Sequence, residues 1–137
     1  MASETSTLLP SPSPSPSPSP RAPRKPQFWT LACLYGASAV GLGAFGAHGL
    51  KQIIQNPARL ATWGTAAHYQ LVHSAALLVA AQVQNPVAEW LFTSGMTLFS
   101  GSLYLLVLDP RAFRFMGPVT PLGGVCLIGG WVALALK

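Results

Sequence analysis

Residues 28–49 read FWTLACLYGASAVGLGAFGAHG and residues 115–136 read FMGPVTPLGGVCLIGGWVALAL, and neither stretch holds a Lys, Arg, Asp or Glu. A bilayer core about 30 Å thick selects apolar runs of about 20 residues. A soluble domain of 137 residues has too little interior to bury so much apolar surface. Between the two stretches the pattern continues, since Glu89 is the sole Lys, Arg, Asp or Glu in residues 60–108. The chain therefore reads as an all-α, multi-pass integral membrane protein, a four-helix transmembrane bundle surrounded by lipid.

Working outward, the first span, residues 28–49, opens on Phe28 and Trp29 just behind Arg24 and Lys25, an interface-anchoring arrangement. The second covers about residues 62–83. The third covers about 89–108, from Glu89 and Trp90 to a stop at Asp109 and Pro110. The fourth lies within residues 115–136 and is interrupted by Pro118 and Pro121. Thr120 as cap with Pro121 in the first turn marks a helix start. Residues 121–136 then form a short span of about 24 Å, approached through an irregular segment. A cleaved signal peptide fits less well, although Gly43, Ala44 and Ala47 offer small residues. The apolar run is long, and a proline-rich stretch precedes it.

Residues 1–26 form a separate, low-complexity region, a Ser-Pro alternation from Pro10 to Pro20 followed by RAPRKP. Proline at every second position fixes φ and removes backbone donors, so the tail reads as disordered and polyproline-leaning. It lacks the amphipathic pattern of a transit peptide. Residues 27–137 are then the membrane domain.

Only 8% of the residues are charged, against roughly 25% in an ordinary soluble domain. The net charge of +5 comes from scattered residues: Arg21, Arg24 and Lys25, then Lys51 and Arg59, then Arg111 and Arg114, then Lys137. Nucleic-acid binding needs a clustered basic face, so anchoring at the lipid interface accounts better for them. With four spans the basic residues divide evenly between the two sides, and the positive-inside rule sets no orientation. Cys33 and Cys126 lie within apolar runs, where cysteine behaves as a small hydrophobe.

Small residues mark the helix contacts. Ala39, Gly43 and Ala47 repeat at four-residue spacing, with Gly46 beside them. Gly123, Gly124 and Gly130 add small residues in the fourth span, and Thr93, Thr97 and Gly101 line one stripe of the third. Such stripes let backbones approach closely and hydroxyls bond across the contact.

Ionisable groups at membrane depth are costly and raise functional hypotheses. His48, His68 and His73 are the candidates, with Tyr69 and Gln70 between the last two. His68 and His73 lie about 140° apart around a helix and share no face, whereas Tyr69 and His73, or Gln70 and His73, can meet. No HExxH and no Cys/His cluster is present, so no metal or cofactor is expected. Serines lack a GxSxG elbow and an acidic partner, so no catalytic residue is assigned and the chain is not expected to be an enzyme. Glu89 at a helix start complements the macrodipole and faces the headgroups.

Three ordered motifs carry a resemblance: GAFGAHGL at residues 43–50, LFSGSLY at 98–104, and TPLGG at 120–124 followed by Gly130-Trp131. Over residues 28–137 the chain resembles the family called domain of unknown function 423, or uncharacterised protein family 0382. The resemblance implies a small four-helix multi-pass membrane protein and supplies no catalytic residue, substrate or cofactor. Its motif histidine matches His48, and its polar second-helix stretch matches residues 68–73. Two functions follow as expectations. One is a non-enzymatic membrane component that packs with itself or with a membrane complex, its partners being the lipid bilayer and other membrane helices. The alternative is a small transporter or proton-linked carrier using His48, His68 and His73.

Overall fold

A computed structural model describes residues 27–136. The disordered tail expected over residues 1–26, with Arg21, Arg24 and Lys25, and the terminal Lys137 lie outside those residues. Four long helices run up and down: α1 (Gln27–His48), α3 (Pro57–Gln82), α4 (Pro86–Leu108) and α5 (Val119–Ala135). A single helical turn, α2 (Leu50–Ile53), follows α1, and a 3-10 turn at Arg114–Met116 precedes α5. The all-α, four-helix expectation is met. Extended packing joins α1 to α3, α3 to α4 and α4 to α5. α3 and α4 are therefore central, and α1 and α5 lie outside them.

Three stretches are long and apolar enough to cross a membrane: Gln27–Ile53, Pro86–Leu108 and Arg114–Ala135. α3 is not among them, although its 26 residues reach about 39 Å. Its Thr62, Thr65, His68, Gln70, His73 and Ser74 dilute the apolar content. Its neighbours cover part of it, and Gln70, His73 and Ser74 are among its buried residues.

α3 and α4 both begin earlier than the apolar pattern suggests, and for the same reason. Each opens with Asn-Pro. Asn56 Oδ1 accepts from the backbone N–H groups of Ala58 (2.9 Å) and Arg59 (3.3 Å), and Asn85 Oδ1 accepts from Ala88 (3.2 Å). An Asn cap ahead of proline satisfies orphan donors at the one position where proline costs little. Asn85 Nδ2 also donates to Ala133 O at 2.9 Å, which ties this cap to the end of α5.

Two expectations about helix starts are corrected. Thr120 does not cap α5, which starts at Val119 without a side-chain cap; its hydroxyl pairs instead with that of Ser102 at 2.6 Å. Pro121 occupies the third helical position and has no N–H, so it removes a donor such a cap would serve. Glu89 does lie in the first turn of α4, but it is buried rather than turned to the headgroups.

α3 ends in a Schellman motif. Asn85 N–H donates to Ala80 O (3.0 Å) and Gln84 N–H to Ala81 O (3.3 Å), with Gln84 at φ 54°. A left-handed residue with a Cβ costs roughly 1 kcal/mol relative to glycine. Gln84→Gly is thus expected to raise stability by about 0.5–1 kcal/mol, measured by denaturant titration in mixed micelles; an unchanged or lowered stability would contradict the strain.

The interior is built inside out. Its main cluster is rich in small side chains, with Ala32, Ala76, Ala80 and Ala88 around Leu77, Phe92, Met96 and Leu127. Large aliphatics such as Leu34, Val40, Val125 and Ile128 point outward. Lipid tails are as apolar as leucine, so close backbone packing and hydrogen bonds must hold the helices together. A second cluster, Leu50, Ile54, Trp63 and Val107, closes the other end beneath α2. Beside it the Arg59 guanidinium donates to the carbonyls of Val107 and Leu108, through Nε to Val107 at 3.0 Å. These are orphan carbonyls of the last turn of α4, where a cation also suits the helix dipole.

Candidate functional site

Between the two clusters lies a polar layer centred on Gln70. Its buried amide donates to Tyr35 O (3.0 Å) and Ser38 Oγ (2.7 Å) on α1, and its Oε1 accepts from Tyr104 OH (3.1 Å) on α4. One side chain of α3 thus ties both neighbouring helices, with both amide donors and its acceptor in use. Tyr35 OH and Thr97 Oγ1 pair at 2.6 Å, which links α1 directly to α4. Ser100 Oγ donates to Ala66 O at 2.9 Å, and Trp63 Nε1 donates to Leu42 O at 2.7 Å. Among the described residues every enclosed side-chain nitrogen or oxygen has a partner.

His73 occupies a different side of α3. It is buried, and its Nδ1 lies 2.7 Å from Tyr69 O. A carbonyl only accepts, so Nδ1 carries the proton. The Tyr69 ring stacks on the imidazole, with centroids 5.6 Å apart and planes 17° apart. Phe92 and Trp131 meet it at 6.0 and 6.1 Å, and Trp131 stands edge-on to Phe92 at 5.5 Å. His73 therefore bridges α3 to α4 and α5 through aromatic contacts.

The five polar candidates are not gathered into one site. Tyr69 and His73 meet, as their spacing allows. Gln70 turns instead toward α1 and Tyr104. His68 is exposed on the outer face of α3, and His48 is exposed at the end of α1. Among the described residues no three His, Cys, Asp or Glu side chains gather at metal-ligand range.

The packing glycines divide in the same way. A Cβ at Gly46 would collide with the Trp63 indole (Nε1 at 2.7 Å), one at Gly130 with the Phe92 ring (Cε1 at 2.6 Å), and one at Gly123 with the backbone of Phe99 (Cα at 2.8 Å). Gly43 and Gly124 stand at ordinary contact, 3.8 Å from Ala67 Cβ and 3.7 Å from Phe99 Cδ2. At Gly101 nothing lies within 4 Å of the Cβ position, so a methyl there would meet no other helix among the described residues. Gly95, against Leu127 at 2.6 Å, is a tight contact the small-residue stripes did not single out. Tyr35, Ser38, Trp63 and Tyr104 were also missed. Tyr104 falls inside the quoted 98–104 motif, but its partner is on another helix, which no spacing within one segment reveals.

Comparison with known proteins agrees with a membrane protein. Residues 42–124 match the family described as "Protein of unknown function (DUF423)". A UPF0382 membrane protein of Schizosaccharomyces pombe is 39% identical over 115 residues, covering 77% of this chain and 96% of that protein. One from Staphylococcus aureus is 41% identical over 115 residues, covering 80% and 92%. One from Bacillus subtilis is 38% identical over 117 residues, covering 80% and 93%. No solved structure gives a significant match.

Proposed function

The chain belongs to the DUF423 family, and from that premise we propose that it acts as a non-enzymatic membrane component that packs with further copies of itself or with a membrane complex through the outer face of α3. The supporting observation is the exposure of that face. Gly64, Thr65, His68, Leu71, Val72, Ala75 and Val79 are all exposed and recur at helical spacing. His68 lies about 17 Å from the helix start and about 21 Å from its end, close to mid-bilayer for a spanning helix. An imidazole facing lipid at that depth is expensive, and a neighbouring protein helix removes the expense. The small residues beside it let such a helix come close. Meanwhile the inward Gln70 and Ser74 side chains of α3 are occupied with hydrogen bonds inside this chain. His48, exposed at the end of α1, and His73, buried on the inner side of α3, do not continue a path from His68. The carrier reading draws no support from this arrangement.

Gly64 offers a clean test, because nothing lies within 4 Å of its Cβ position and a larger side chain leaves the bundle intact. Gly64→Leu should keep the helicity and thermal midpoint of the native chain. It should lose at least tenfold in self-association or partner association, read on native gels and by cross-linking in lipid. Unchanged assembly in both Gly64→Leu and His68→Leu would overturn the proposal.

A further inference from the structure

We infer that the lipid-facing surface site where Tyr69 and Trp131 flank His73 binds the hydroxyl-bearing ring of a membrane-soluble amphiphile, with His73 Nε2 accepting the ligand's hydrogen bond. The tautomer sets the chemistry. Because Nδ1 donates to Tyr69 O at 2.7 Å, the neutral ring presents Nε2 as a bare acceptor. Nδ1 faces Tyr69 O, so Nε2 is directed away from that carbonyl, and Phe92 of α4 and Trp131 of α5 stand beside the ring. It makes no hydrogen bond among the described residues. It is also not sealed, since no fully enclosed nitrogen or oxygen there lacks a partner. A nine-tenths-buried imidazole (7% exposed) with a reachable lone pair calls for a donor.

The walls define what brings that donor. Tyr69 and Trp131 flank His73 at 5.6 and 6.1 Å and are themselves 41% and 49% exposed, so the site lies at the outer surface of the bundle. Their phenol and indole N–H also make no hydrogen bond among the described residues. A ligand hydroxyl can therefore donate to His73 Nε2 and accept from Trp131 Nε1–H. Aromatic walls favour a flat ring beside that hydroxyl. Depth agrees: Trp131 lies about 6 Å from the end of α5, Phe92 about 9 Å into α4 and His73 about 14 Å from the end of α3. A headgroup there sits about one to two and a half turns below the surface with its tail among the acyl chains. The shared chemistry is a ring-borne hydroxyl, available on a quinol or on a sterol.

The test uses the full chain in phosphatidylcholine nanodiscs with three probes: a decyl-tailed dimethoxy-methyl hydroquinone, its oxidised quinone, and cholesterol. Native mass spectrometry reads binding. The hydroquinone should bind saturably. The quinone, the same ring without donors, should bind at least tenfold more weakly. His73→Phe, which keeps the aromatic volume, should weaken hydroquinone binding at least tenfold, and Trp131→Phe about threefold. Saturable, His73-dependent cholesterol binding in place of hydroquinone binding would uphold the site with a sterol occupant. Equal binding of hydroquinone and quinone, unaltered binding to a folded His73→Phe, or no saturable binding of either hydroxyl-bearing probe would overturn it. Should His73→Phe fail to fold, the hydroquinone-to-quinone ratio on the native chain still decides.

Discussion

Gly123→Ala is expected to cost about 2–3 kcal/mol in a denaturant titration in mixed micelles, while Gly101→Ala stays within about 0.5 kcal/mol. The difference arises from what each new methyl meets. At Gly123 it meets main chain: the amide nitrogen of Phe99, Phe99 Cα at 2.8 Å and the carbonyl carbon of Leu98 at 2.9 Å. Side chains can rotate aside, but a helix backbone can only be pushed away. A displaced α5 would also strain the hydroxyl pair of Ser102 and Thr120, at 2.6 Å, and the contact of Leu127 with Gly95. At Gly101 nothing lies within 4 Å, and alanine is the better helix former. Equal stabilities for the two variants would mean that α4 and α5 do not approach as closely as described.

That close approach belongs to a broader division of labour among the helices. α4 meets α5 through glycine, with Gly123 against backbone, Gly130 against the Phe92 ring and Gly95 against Leu127. α3 meets α1 and α4 through polar side chains, with Gln70, Ser100 and Trp63 each donating across an interface. Both devices work without a hydrophobic driving force, which lipid does not supply between helices. They also explain how α3, the helix least suited to lipid, is held in the bundle. Gln70, His73 and Ser74 are buried on one side, and His68 is left on the other among small and aliphatic residues.

The membrane class and the number of long helices were legible in the sequence because they depend on charge-free length, which one segment records by itself. The family was legible from motifs at residues 43–50, 98–104 and 120–124. The starts of α3 and α4 were legible too, in Asn56-Pro57 and Asn85-Pro86, but the apolar pattern drew the boundaries inward. The rest depends on how each helix is rotated about its axis. Gly101 and Gly123 look alike in sequence, yet one faces open space and the other a backbone. Gln70 and His73 are three residues apart, yet one turns toward Tyr35, Ser38 and Tyr104 and the other toward Phe92 and Trp131. Rotation is set by the sum of interhelical contacts, so no single segment carries it.

Trp63 should prove the costliest single truncation, with Trp63→Ala losing about 3–4 kcal/mol and Trp63→Phe about 1–2 kcal/mol in the same titration. Its ring is 3% exposed and holds three elements at one end of the bundle. The indole N–H donates to Leu42 O on α1 at 2.7 Å, and its ring meets Tyr104 of α4 at 4.6 Å and Phe45 of α1 at 5.8 Å. Phenylalanine keeps part of the volume and loses the donor, whereas alanine leaves a void beneath Leu50 and Val107, its partners in the second cluster. The seat for the ring is Gly46, whose Cβ position lies 2.7 Å from Trp63 Nε1. Gly46→Ala should therefore cost about 2 kcal/mol in the native chain and almost nothing once Trp63 is alanine, a coupling of at least about 1 kcal/mol. If the two costs simply add, Gly46 does not seat the indole, and the GAFGAHGL motif must hold α1 against α3 in some other way.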